Sequence, residues 1–244
     1  MLVVGCAALG AAVGAVTPAV AYRLSVEYGT PSRSACEHCG RPLRTGLSGW
    51  VRPTARCRGC GRRLGPPLWL TVPIGAVSFG TLAWALAGSA ALPGFLAVAA
   101  FGVVLGFIDV ACLRLPDPMV GAAFLAGGGW LVGLSIVDGT TDTLARAGVA
   151  AVVSAAAYLV LALLPGSNLG FGDVKLAGVL GLMLGWLGWP AVLSGLLLPH
   201  LINGPVALVL LLAGRAGRRT DLPLGPALLA GALLAVVVAR LLPG

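Results

Sequence analysis

The feature that most restricts this chain is the length of its apolar runs. A helix needs roughly 20 predominantly apolar residues to cross the hydrocarbon of a bilayer. Runs of that size recur along the whole sequence, from Leu2–Leu24 at one end to Leu222–Leu242 at the other. Backbone polar groups inside lipid must be satisfied within their own segment, so runs of this kind fold as helices. Of 244 residues, 58% are hydrophobic and 10% charged, with a mean hydropathy of +0.99; an average soluble domain is roughly 25% charged. The expected fold is all-α, a polytopic membrane protein with about eight transmembrane helices.

After Leu2–Leu24, the runs expected to span are Leu68–Ala87, Pro93–Ile108, Pro118–Val137 and Leu144–Leu164. The apolar stretch from Val174 to Ala213 is too long for one crossing, and Gly188-Trp189-Pro190 divides it in two. A charged turn holding Asp109, Arg114 and Asp117 joins the third span to the fourth. Pro165-Gly166-Ser167-Asn168 is turn chemistry, and Arg215 to Asp221 is a basic loop. No basic stretch precedes the first apolar run, and Arg23 follows it, so the run is read as a retained membrane helix and not a signal peptide. Three regions result: 1–24 the first transmembrane helix, 25–67 a cytoplasmic zinc-binding loop, and 68–244 a membrane-embedded core.

The net charge of +8 raises the question of nucleic acid, and the placement of the charges answers it. Arg23, Arg33, Arg41, Arg44, Arg52, Arg56, Arg58, Arg62 and Arg63 crowd into or beside the first loop, which the bias of Lys and Arg toward cytoplasmic loops puts in the cytoplasm. With eight spans, Arg114, Lys175 and Arg215 share that side, and only Arg146 and Arg240 do not. Partners are therefore expected in the membrane, with lipid around the helices and no nucleic acid. The same count brings Asp109, Asp117 and Asp173 together at the cytoplasmic boundary and leaves Asp138 and Asp142 opposite.

Within the first loop, Cys36-x2-Cys39 and Cys57-x2-Cys60 stand 17 residues apart, inside the spacing of four-thiolate zinc sites. Each pair turns back on itself so that two thiolates grip one metal, and Gly40 and Gly61 suit the turn. A reducing cytoplasm argues against two disulfides. A loop this poor in apolar residues needs such a metal to fold, so the zinc is expected to be structural. Cys6 and Cys112 read as packing residues, and His200 as a polar side chain satisfied by a neighbouring helix.

Carboxylates at the ends of apolar runs are costly, and by default mark a functional site. Asp109 and Asp173 sit in no recognisable cap, whereas Asp117-Pro118 reads as a helix N-cap with proline in the first turn. Lys175 either snorkels to the headgroups or serves the site. Two carboxyls held close share a proton, which suits general acid and base work by Asp109 and Asp173 on an amide.

Phe107-Ile108-Asp109, Leu115-Pro116-Asp117 and Gly170-Phe171-Gly172-Asp173-Val174-Lys175-Leu176 together resemble the type IV prepilin peptidases, GxGD-type intramembrane aspartyl proteases. The paired CxxC motifs after Pro31-Ser32-Arg33-Ser34 resemble the long form of that family. The resemblance implies cleavage of type IV pilin or type II secretion pseudopilin precursors in the bacterial inner membrane, after the Gly that ends a short basic leader, at the cytoplasmic face. Asp109 and Asp173 match the catalytic pair, with Gly170, Gly172, Lys175 and Asp117 in support. Bifunctional relatives also methylate the new N-terminus with S-adenosylmethionine. This chain departs from them at Leu47 to Pro53, and at Trp69-Leu70-Thr71-Val72-Pro73, where Pro73 stands in the place of an acid; methyl transfer is the doubtful half. The alternatives are a proton- or cation-coupled transporter using the same Asp pair, and a membrane-tethered zinc adaptor.

Overall fold

The computed structural model describes residues 1–53, 56–165, 167, 169–213 and 223–242. Nine helices form among the described residues: α1 Leu2–Leu24, α2 Leu47–Trp50, α3 Leu68–Ala85, α4 Leu92–Cys112, α5 Asp117–Asp138, α6 Thr141–Leu163, α7 Phe171–Leu187, α8 Trp189–Leu212 and α9 Gly225–Leu241. Among the described residues the extended structure consists of two isolated bridges, both in the loop between α1 and α3. Five helices among the described residues, α1, α3, α4, α5 and α6, are long and apolar enough to cross a membrane, and α9 is apolar but shorter. The protein is thus all-helical and multi-pass.

Several expected boundaries move. The third apolar stretch forms α4, which runs past Ile108 to Cys112, so Asp109 lies in its last turn and not in the connecting turn. Leu113 then ends α4 in a left-handed conformation, φ 52°, donating its N–H to the Asp109 carbonyl at 2.7 Å. Gly188, φ 129°, makes the expected break between α7 and α8. The single turn α2 inside the first loop is an addition. The turn at 165–168 falls partly outside the described residues, as does the whole basic loop 215–221.

The helices pack where side chains are small. On α1, Gly10 and Gly14 face Gly75 and Thr71 of α3, so closely that an added Cβ on either α1 glycine would run into α3 backbone. On α7, Gly181 and Gly185 face Ala147, Ala150 and Ser154 of α6 in the same way. Both pairs have the small-x3-small spacing that brings membrane helices into backbone contact, a use of glycine that a Gly-rich composition conceals. Arg146, stray in the charge pattern, donates from Nε to the Gly185 carbonyl at 2.9 Å and from Nη2 to that of Trp186 at 3.0 Å. It caps the last turn of α7, where carbonyls lack helical partners and a cation is favoured.

The loop docks on the end of α1. Arg23, buried at 7% exposure, donates to the carbonyl of Arg44 at 2.7 Å and stacks on Trp50, 4.9 Å from the ring centre. The Glu37 N–H donates to the Tyr22 hydroxyl at 2.9 Å. Tyr22, Cys36, Cys57 and Leu64 make a small core separate from the main one.

Candidate functional site

The end of α4 and the starts of α5 and α7 meet around one cavity. The last turn of α4 supplies Asp109, the first turn of α7 supplies Asp173, and α9 begins beside them at Gly225. Asp109 and Asp173 are 4% and 8% exposed, and both line a cavity of about 410 Å³ together with Tyr28, Arg114, Asp117 and Lys175. The two acids, far apart in sequence, are thereby brought to one wall-lined space.

Each is held differently. Asp109 Oδ2 accepts a hydrogen bond from the Gly225 N–H at 2.8 Å, one of the free donors that every helix N-terminus presents. A Cβ on Gly225 would lie 2.8 Å from that same oxygen, so the missing side chain is what lets α9 reach Asp109. Asp173 Oδ2 accepts from the Gly170 N–H at 3.2 Å, and the Asp173 N–H donates to the Gly170 carbonyl at 3.0 Å. This is the reach-back half of a capping box, which corrects the reading that Asp173 sits in no cap: glycine at the N-cap carries no side chain, so the usual Ser or Thr signature is absent. The other oxygen, Asp173 Oδ1, is buried without a partner among the described residues.

Asp117 is not the N-cap of α5. The helix opens at Asp117 with Pro116 before it, no side-chain cap bond forms, and the carboxylate instead meets Lys175 Nζ at 2.7 Å. Both partners are 51% exposed, so the pair forms the wet rim of the cavity. Gly172 makes room for a neighbour: a Cβ there would stand 2.9 Å from Leu115 Cβ, so this glycine admits the segment between α4 and α5. Arg114 Nη1 donates to the carbonyls of Val26 and Glu27 at 3.1 and 2.8 Å and stacks on Tyr28, tying the start of the first loop to the cavity. Gly225, Tyr28 and Arg114 escaped the motif reading, although Gly225-Pro226 is a legible helix opening.

Cys112 donates to the Ile108 carbonyl of its own helix at 3.3 Å. His200 Nδ1 likewise lies 3.0 Å from the Leu196 carbonyl one turn back, with its ring against Tyr158. The expected partner on a neighbouring helix is therefore replaced by its own backbone.

The second cluster is in the loop. Sγ atoms of Cys36, Cys39, Cys57 and Cys60 all lie within 4.8 Å of one another, with Cys36 to Cys60 at 3.8 Å and Cys39 to Cys57 at 3.5 Å. Four thiolates around a tetrahedral metal at about 2.3 Å stand about 3.8 Å apart, so the cluster fits a four-coordinate metal. Its halves are alike. Cys36 N–H donates to Arg41 O and Cys57 N–H to Arg62 O, each at 2.9 Å, beside the bridges Ala35–Pro42 and Arg56–Arg63. Gly40 and Gly61 take φ of 68° and 70°, the left-handed turn that each knuckle requires. Backbone N–H groups of Cys60 and Gly59 draw the Cys57 thiol down to about 6. For Cys39 the Arg41 N–H acts downward, but the Cys57 sulfur and burial outweigh it and push this thiol up to about 11.

A multi-pass helical membrane protein with two buried carboxyls on one cavity is the class these observations define. Known proteins narrow it. The chain is 32% identical over 218 residues to a prepilin leader peptidase/N-methyltransferase of Burkholderia pseudomallei strain 1026b, covering 82% of this chain and 65% of the relative. Proteins of the same name from Aeromonas hydrophila and Pectobacterium carotovorum are 32% and 33% identical, with 80% and 84% of this chain matched to 67% and 74% of theirs. The chain belongs to the prepilin leader peptidase/N-methyltransferase family. It spans about two thirds of the length of these curated relatives. No protein-family model matches it, and no solved structure matches it.

Proposed function

We propose that this chain is a prepilin-type aspartyl endopeptidase of the bacterial inner membrane. It removes the short basic leader of pilin or pseudopilin precursors, cutting after the terminal Gly at the cytoplasmic face. The observation that carries this reading is the meeting of Asp109 and Asp173, from α4 and α7, on one cavity of about 410 Å³. The names of the relatives favour it over an ion-coupled transporter.

The chemistry needs one carboxylate and one carboxylic acid, the arrangement that two neighbouring carboxyls adopt because both cannot ionise together. The carboxylate takes a proton from water as the water oxygen bonds to the scissile carbonyl carbon. The acid donates a hydrogen bond to that carbonyl oxygen. As the C–N bond breaks, a proton passes to the leaving amine, and the pair returns to sharing one proton. Oδ1 of Asp173, buried and without a partner among the described residues, supports a role facing substrate or water. Gly170 and Gly172 shape the approach to it, and the Lys175–Asp117 pair closes the rim.

The fold in this reading has eight spans: 1–24, the zinc-binding loop 25–67 in the cytoplasm, and a peptidase core 68–244. Cys36, Cys39, Cys57 and Cys60 hold one zinc, which folds the loop and takes no part in cleavage. The S-adenosylmethionine-dependent methylation named for its relatives has a poor fit here, because Pro73 lies exposed on α3 where the resemblance calls for an acid.

The deciding experiment is leader removal from a co-expressed candidate prepilin, followed by mass spectrometry of the product. Asp109→Asn and Asp173→Asn should each slow cleavage by about a thousandfold or more, and the mature N-terminus should carry no methyl group. Normal cleavage by either purified variant would overturn the mechanism, and a stoichiometric methyl group would overturn the reading of Pro73.

A further inference from the structure

Where α1 meets the first loop there is a second hollow, of about 250 Å³, that shares no residue with the carboxylate cavity. Its lining is rich in arginine. Arg23 is already engaged with the Arg44 and Gly49 carbonyls, and Arg56 donates to the Gly61 carbonyl. Arg41, Arg44, Arg52 and Arg58 line the same hollow and have no side-chain hydrogen bond or ion pair among the described residues.

The loop does not supply counter-charges for them. Its two acids are Glu27 and Glu37; Glu37 pairs with Arg33 at 3.6 Å, and neither faces the hollow. A zinc held by four thiolates carries a net charge of about −2, which offsets part of this excess and leaves the rest. Guanidinium forks gathered without acids match the oxygens of a phosphate, which they bind in pairs.

The position narrows the source. One wall is Ala19, Tyr22 and Arg23, the end of a 23-residue apolar helix, and Leu43 and Leu64 add apolar surface. Arginines beside apolar walls, at the level where a membrane helix leaves the hydrocarbon and flanked by Tyr22 and Trp50, suit an amphipathic anion at the headgroup layer. A basic leader peptide would be repelled from the same place.

We propose that this hollow binds a phosphate-bearing anion, supplied by the headgroup of an anionic phospholipid, and so seats the zinc loop on the membrane surface.

The test uses the full-length, zinc-loaded protein in neutral detergent, titrated with dihexanoyl phosphatidylglycerol, dihexanoyl phosphatidylcholine, inorganic phosphate or an RNA oligonucleotide, with bound ligand counted by native mass spectrometry. Phosphatidylglycerol should bind about tenfold or more tightly than phosphatidylcholine. Arg44→Gln with Arg52→Gln should weaken it by about tenfold or more. Arg62→Gln with Arg63→Gln removes the same charge from exposed positions outside the hollow and should change it by less than about threefold. Zinc content, measured on every variant, shows whether the loop is folded, and Arg44→Lys with Arg52→Lys, which keeps the charge, serves if the glutamine variant has lost its zinc. Inorganic phosphate competing as well as the lipid, with the same dependence on Arg44 and Arg52, would uphold the anion site and overturn the lipid as its source. Equal binding of both lipids, equal loss in the two arginine pairs, or binding of RNA alone would overturn the proposal.

Discussion

The cysteine cluster and the carboxylate cavity both gather groups that repel one another when ionised, and they do so by opposite means. The cluster is local: two short knuckles, each closed by its own backbone bonds and a left-handed glycine, within one loop whose apolar core is Tyr22, Cys36, Cys57 and Leu64. So small a core buries little, and a metal on the four thiolates, which their spacing fits, would supply the missing stabilisation. The carboxylate cavity is non-local, assembled from the end of α4 and the starts of α5 and α7, with α9 holding Asp109 through the Gly225 N–H. Polar groups can be positioned by burial where burial is plentiful; where it is scarce, bonds to a metal would have to take over.

Removing the metal is the harshest way to separate the two regions. Cys36→Ser with Cys39→Ser should eliminate the single zinc, by elemental analysis, and leave the loop open to limited proteolysis, since metal binding and folding are one event in such modules. Leader cleavage should fall by less than about tenfold, because apart from Tyr28 the loop contributes no wall to the cavity; complete loss of cleavage would show the regions to be one unit. The pH dependence has a definite sign. Metal binding requires thiolates, Cys57 sits at about 6 and Cys39 at about 11, so binding releases protons. Zinc retained against a chelator should therefore decline as pH falls, more steeply below about 6 where Cys57 as well as Cys39 holds a proton, and zinc retention independent of pH would contradict this.

The converse separation, which strikes the cavity and spares the loop, is Gly225→Ala. Its Cβ would press on Asp109 Oδ2, and a displacement of this kind should lower cleavage by about ten- to a hundredfold with zinc content unchanged. An active Gly225→Ala enzyme would mean that Asp109 does not depend on α9. The smallest change belongs to Lys175→Met. The Lys175–Asp117 pair is half exposed, and such pairs are worth about 0 to 1 kcal/mol, so cleavage should drop by less than about fivefold, with the difference fading at high salt. A larger, salt-insensitive loss would promote Lys175 from rim to mechanism.

These differences also explain what could be read in advance. The cysteine site was legible because a metal knuckle is a short pattern with the geometry written in its spacing. The long helices were legible from apolar runs, and the two acids from their cost in such runs. Asp109 was misplaced into a turn because Asp-Val-Ala-Cys-Leu-Arg breaks the apolar run without breaking the helix, which ends only at Leu113. Gly225 was missed because it acts through its N–H and through an absent side chain, neither of which a residue pattern displays. Arg23 read as a loop charge, yet carbonyls of Arg44 and Gly49 bury it. Those partners are main-chain atoms, as invisible to composition as the Gly225 N–H.

The backbone contact of Gly10 and Gly14 with Gly75 and Thr71 has a consequence in polymer terms. α1 and α3 hold the two feet of the loop together whether or not metal is bound, so the chain between them is already a closed ring. Closing a ring costs entropy that grows only with the logarithm of its length, about 0.6 kcal/mol for each doubling. Lengthening the interval from Cys39 to Cys57 would thus cost little chain entropy, provided that the contacts of Arg23 with Arg44, Gly49 and Trp50 stay in place.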